Sequence, residues 1–300
     1  MPDRRPILTV FAGLALATPA LAQDAAEPQP DIFLFDYDAS TEGDALANGV
    51  NVTNRPTLYD NQPFFTPGGD SFVYVRGDGT QTDVWEYDIA GRTHTQLTDT
   101  PEAEYSPTPS PDNRSITVVF ERNRSIWQVD RDDPGEPRWL LEAAGVDEPV
   151  GYFARNHATG DVLLWSRYGY NVALSHASEE RYHFVSGHAV PASPHLVPGT
   201  NRFSFVHRQT NEEVWIKEVD PETRAVRPLT PIVGSNANYA WTPDGAILQI
   251  EGTVLHRWRE GGEGWEEISD LADHGLATAY RIAVSPDGRR VAIVGTASEE

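Results

Sequence analysis

Ser285-Pro286-Asp287-Gly288 is a chain reversal spelled out in four residues. Proline pre-sets φ for the bend, and glycine takes the left-handed corner. The same signal stands at Thr242-Pro243-Asp244-Gly245, Ser110-Pro111-Asp112-Asn113 and Thr66-Pro67-Gly68-Gly69-Asp70. Two degenerate copies, Ala154-Arg155-Asn156 and Val197-Pro198-Gly199-Thr200-Asn201, fill the gap between them. Counted at positions 67, 111, 155, 198, 243 and 286, the spacings are 44, 44, 43, 45 and 43 residues. A period of this length, built from four short strands, is the pattern of β-propeller blades.

The flanks of each turn repeat as well. An apolar strand follows, as in Ser71-Phe72-Val73-Tyr74-Val75 and Ser115-Ile116-Thr117-Val118-Val119-Phe120. A third strand then carries an aromatic residue and a closing aspartate, as in Asp83-Val84-Trp85-Glu86-Tyr87-Asp88 and Ser125-Ile126-Trp127-Gln128-Val129-Asp130. Asp31-Ile32-Phe33-Leu34-Phe35-Asp36 matches this third strand rather than a first one. The unit from Ala279 to Gly295 supplies only a first and a second strand. Two half-blades from opposite ends of the chain therefore complete one another, which removes free sheet edges. The fold expected is all-β, a six-bladed propeller whose last blade is closed by N- and C-terminal strands. Its blades span about 56–100, 101–147, 148–190, 191–235, 236–276, and 277–297 with 31–55.

Before the propeller, Arg4-Arg5, the apolar run Ile7–Ala17 and the small-residue site Ala20-Leu21-Ala22 have the layout of a secretory signal peptide. The run is too short to span a bilayer, which needs about 20 apolar residues. Cleavage after Ala22 leaves residues 23–30 as a linker to a single domain at 31–300. A periplasmic or secreted location follows, with no membrane insertion of the mature chain. The sequence has no cysteine, so neither disulfides nor a lipid anchor on cysteine is available. The net charge is −22, and loss of the leader's two arginines and one aspartate makes it −23. Such a surface repels phosphate backbones, so nucleic acid is not an expected partner.

With Tyr59-Asp60-Asn61-Gln62-Pro63-Phe64-Phe65-Thr66-Pro67-Gly68-Gly69, the Pro-Asp-Gly turns and the Asp-Val/Ile-Trp strands, the chain resembles the TolB-like propellers of the bacterial envelope over roughly residues 31–296. TolB itself looks like a small α/β domain set before a propeller. Here Asp31 already reads as a propeller strand, so that domain is not expected, and TolB's tethering role does not carry over. Fold alone does not assign function.

Propeller ligands usually sit at the mouth of the central channel, lined by the loops that lead into each first strand. Those loops offer Tyr59, Asp60 and Asn61; Glu104 and Tyr105; Asp147 and Glu148; Ser193 and His195; Asn236, Asn238 and Tyr239; and Tyr280 and Arg281. Tyrosines among acids and amides suit a peptide or a sugar, or serve to brace neighbouring blades. The hairpins between second and third strands start with Arg76, Arg122, Arg167 and Arg208, which would place an anion-binding face on the same side; pairing with nearby acids is the plainer role for them. His183, His188, His195 and His207 lie close in sequence, but nothing enforces metal-ligand spacing, and no metal or other cofactor is expected. There is no Gly-x-Ser-x-Gly elbow, phosphate loop, dinucleotide fingerprint or His-Glu-x-x-His motif, so no catalytic residue is assigned. The expectation is a monomeric, non-enzymatic module that binds a protein, peptide or envelope component. The alternative is an enzyme at the channel mouth: a metal-assisted lyase, a lactonase or a hydrolase.

Overall fold

The computed structural model of the chain describes residues 29–298 except 42 and 147. The expected leader and most of the expected linker lie outside the described residues. The described residues form six four-stranded sheets. Blade 1 runs through Asp60–Phe65, Ser71–Gly77, Thr82–Asp88 and Thr93–Gln96. Blade 2 uses Glu104–Pro109, Ser115–Phe120, Ile126–Asp130 and Arg138–Trp139. Blade 3 uses Val150–Arg155, Asp161–Ser166, Asn171–His176 and Tyr182–Ser186. Blade 4 uses His195–Leu196, Phe203–Arg208, Val214–Val219 and Val226–Pro231. Blade 5 uses Tyr239–Trp241, Ile247–Glu251, Val254–Trp258 and Trp265–Asp270. Blade 6 takes Leu276–Val284 and Arg290–Ala297 from one end of the chain, and Asp31–Tyr37 and Leu46–Asn51 from the other. The helical content of the described residues is one 3-10 turn at Leu271–His274, and none of their helices is long and apolar enough to cross a membrane.

The composite blade is a continuous ladder. Asp31 to Asp36 pairs antiparallel with Gly295 to Arg290, without a register break. The repeated turns join first strand to second strand. Their corners take positive φ at Gly69 (71°), Asn113 (56°), Gly245 (84°) and Gly288 (69°), the conformation glycine and asparagine tolerate. All six turns lie on one face of the ring, called here the turn face. The loops leading into the first strands lie on the opposite, leading face.

Strand alternation explains why the ring closes. Side chains of period two point to opposite sides of each blade, so each blade feeds two cores. Phe72 and Tyr74 of blade 1 pack with Ile32, Ala292 and Val294 of blade 6. Val73 and Val84 face the other way, onto Ile116, Val118 and Phe120 of blade 2. Blades 2 and 3 share Val119, Ile126, Val162 and Leu164. Blades 3 and 4 share Leu163, Trp165, Phe203 and Phe205, and blades 4 and 5 share Val206, Ile216, Tyr239 and Ile247. Leu248 and Leu255 of blade 5 then meet Phe33, Phe35 and Ile293 of blade 6. Each fully buried Val, Leu, Ile or Phe contributes roughly 1.5–3 kcal/mol, and the circuit leaves no unpaired blade face.

Candidate ligand-binding channel and leading face

The first strands surround an axial cavity of about 390 Å³ to which all six blades contribute. It extends to the turn face, where Pro198, Pro243 and Pro286 line it. Irregular first strands shape it. Register shifts fall between Asn61 and Phe64, between Tyr105 and Thr108, and between Ala279 and Arg281. At the first two, Gln62 and Ser106 both adopt φ of 55°. A left-handed non-glycine residue costs on the order of 1–3 kcal/mol. One compensation is visible: the Ser106 amide donates to the Gln62 side-chain oxygen at 2.6 Å, tying blade 2 to blade 1.

Several candidates from the leading loops turn inward as braces. Asp60 is wholly buried and accepts from Arg55, whose guanidinium also reaches the Gly77 carbonyl. Burial raises its carboxyl to about pH 7, against the attraction of Arg55 and Arg76. Glu104, equally buried, accepts from Thr98 and from Thr100 at 2.7 Å, and burial raises it to about 7 as well. Glu148 accepts from Asn171 and the Tyr182 hydroxyl. Asn236 donates to the carbonyls of Ile250 and Tyr280, joining blade 5 to blade 6. These residues occupy equivalent positions, seven before the repeat markers at 67, 111, 155 and 243. Asp147 lies outside the described residues.

A second group gathers at the axis. Asn61 donates to the Tyr280 hydroxyl at 2.7 Å. The Arg281 guanidinium lies 5.5 Å from the Tyr152 ring and donates to its hydroxyl at 3.4 Å. These two residues belong to blades 6 and 3, which face one another across the ring. Tyr59, Tyr105 and Tyr280 sit in the same electrostatic neighbourhood, and burial pushes the Tyr59 hydroxyl well above its usual range despite Arg281. His195 stacks edge-on against Tyr239, with 4.6 Å between centroids. Burial, reinforced by Arg281, lowers its imidazole to about 4, so it is neutral at pH 7. Among the sequence candidates, Ser193, His195, Asn238, Tyr239 and Arg281 line the cavity; Tyr59, Asp60, Asn61, Glu104, Tyr105, Glu148 and Tyr280 do not.

The hairpin arginines mostly find partners locally. Arg76 lies over the Trp85 ring at 4.4 Å. Arg122 pairs with Glu102 at 3.2 Å, and Arg208 reaches the Asn211 carbonyl. Arg167 is exposed and begins a hairpin whose Tyr168 and Tyr170 are 70% and 53% exposed. Among the described residues, no group of three His, Cys, Asp or Glu side chains is placed to hold a metal ion.

Sequence reasoning missed Arg155, Phe64, Phe153, Leu196 and Trp241 of the cavity wall. Position 155 carried a signal of its own: it is the one repeat marker that is not proline.

No protein-family model and no curated protein matches the chain. Solved structures do share its fold. A putative TolB from Agrobacterium tumefaciens superposes with a TM-score of 0.67 at 14% identity, covering 89% of this chain and 98% of that one. TolB from Acinetobacter baumannii gives 0.55 at 16% identity, and this chain, 90% covered, spans 65% of its length. An oligogalacturonate lyase in complex with manganese gives 0.54 at 15% identity, covering 92% and 99% of the two chains. The chain is a six-bladed propeller with the fold these structures share, and at these identities the likeness concerns the fold alone.

Proposed function

We propose that the chain is an exported, non-enzymatic propeller of the cell envelope that binds a protein or peptide partner across its leading face. One observation carries this reading: a continuous aromatic track runs from the axis to the surface of blade 3. Arg281 bears on Tyr152, Tyr152 lies 5.6 Å from Trp165, and Trp165 meets Tyr170 edge-on at 5.9 Å. The hairpin that starts at exposed Arg167 also exposes Tyr168 and Tyr170, and the outer strand of the same blade exposes Tyr182 (46%) and Phe184 (55%). Tyrosine, phenylalanine and arginine are the residues enriched at interface centres. The described acidic candidates, Asp60, Glu104 and Glu148, are committed to braces, which supports binding rather than catalysis. The test is capture from envelope extracts with the wild-type chain and a Tyr168→Ser/Phe184→Ser variant. A partner held by the wild type should be lost by the variant, by tenfold or more in affinity. Equal capture by both would remove this face from the function.

A further inference from the structure

The axial cavity is unusual for so acidic a chain. None of the described residues that line it is Asp or Glu, and two are arginines, Arg155 and Arg281. Among the described residues neither arginine makes an ion pair; Arg155 donates to the Gln128 side chain at 3.2 Å, and Arg281 to the Tyr152 hydroxyl. The Nε of each is buried without a partner, and so is the Ser106 hydroxyl on the same cavity. Buried charge without a counter-charge is costly, and proteins retain it where something else supplies the partner. The apolar part of the wall includes Phe64, Phe153, Leu196, Tyr239, Trp241 and Val284. Phe64 and Leu196 remain 44% and 37% exposed there.

We propose that the cavity binds a small amphipathic carboxylate, its anionic group on an arginine and its apolar body against the aromatic wall. Several features converge on that class. Arginine's planar fork matches a carboxylate. The volume falls within the roughly 300–1,000 Å³ of small-molecule sites. Among the described residues no acid lines the wall to repel an anion, and the one charged group that bears on Arg155 is another cation, Arg138. Burial pushes the Arg155 guanidinium down from its usual value with no acid offsetting it, a cost that a bound carboxylate would relieve. The cavity shares Arg281 with the inner end of the aromatic track, but the partner-binding reading is tested at Tyr168 and Phe184, which do not line the cavity, so the two can fail separately.

The experiment is displacement of the fluorescent anion anilinonaphthalene sulfonate from the intact folded chain by decanoate and by decanol. Decanoate is expected to compete at least tenfold better than decanol, the margin of one charge-assisted contact. Arg155→Gln and Arg281→Gln should each weaken decanoate about tenfold and leave decanol unchanged. Arg227→Gln, far out on blade 4, should change neither. Leu196→Trp fills the cavity without touching either arginine and should abolish displaceable fluorescence, which keeps the test usable if an arginine variant fails to fold. Equal competition by decanoate and decanol, indifference to both arginine changes, or no displaceable fluorescence on the wild type would each overturn the proposal.

Discussion

Asp60 shows how a polar residue in a leading loop becomes structural. Its Arg55 partner is 3.0 Å away, yet desolvation outweighs that attraction and lifts its carboxyl from 3.8 to about 7. The folded state therefore keeps a proton that the unfolded chain has released. Stability from the protonated form is complete below about pH 4 and is lost as pH rises through about 7. Asparagine keeps the neutral shape at every pH. Asp60→Asn should accordingly gain on the wild type between about pH 5 and pH 8, by about 2 kcal/mol in urea titrations. A constant offset between the two proteins across that range would show Asp60 ionised throughout. Arg155 is the opposite case. It stands where five blades carry proline, and in the sequence it looks like decay of the turn signal. Only the folded ring places it on the cavity wall, with its guanidinium against Gln128 of the neighbouring blade, because neighbours from other blades are not written beside it in the chain.

At the scale of elements, most of the fold was legible. Turn chemistry is local: proline and a left-handed corner mark the same bend in blade after blade, so the period survives even where one copy degrades. The split blade was legible because Asp31–Asp36 has the pattern of a third strand, and it pairs with Arg290–Gly295 as that pattern requires. The bulges in the first strands were not legible. Gln62 and Ser106 adopt left-handed backbone without the glycine or asparagine that would announce it. Those bulges helped decide which leading-loop residues face the cavity and which turn away as braces. The composite blade also has a tight point. A Cβ at Gly295 would sit 2.1 Å from the Thr278 carbonyl oxygen, which is backbone and cannot swing aside. Gly295→Ala should cost about 1–3 kcal/mol through overpacking, read as a lower urea midpoint with an unchanged slope. Wild-type stability in that variant would contradict so close an approach of the two strands.

Across the whole molecule, charge is segregated. A chain of net −22 lines its axis with arginine, tyrosine and neutral histidine, and among the described residues no acid stands in the cavity wall. Composition revealed the acidic surface but not this inversion, since it depends on which face each strand presents once six blades have closed. The same closure makes the ring a rigid frame, with the aromatic track from Arg281 to Tyr170 carried on blade 3. Partner binding over that track is the central claim, and site-specific photo-crosslinking tests it most directly. Benzoylphenylalanine would be placed at position 168 or 184 on the proposed face, and at position 226, an exposed site on the outer strand of blade 4. In envelope preparations a discrete adduct is expected from 168 and 184 and none from 226; adducts from 226 alone, or equally from all three, would rule out partner binding at this face.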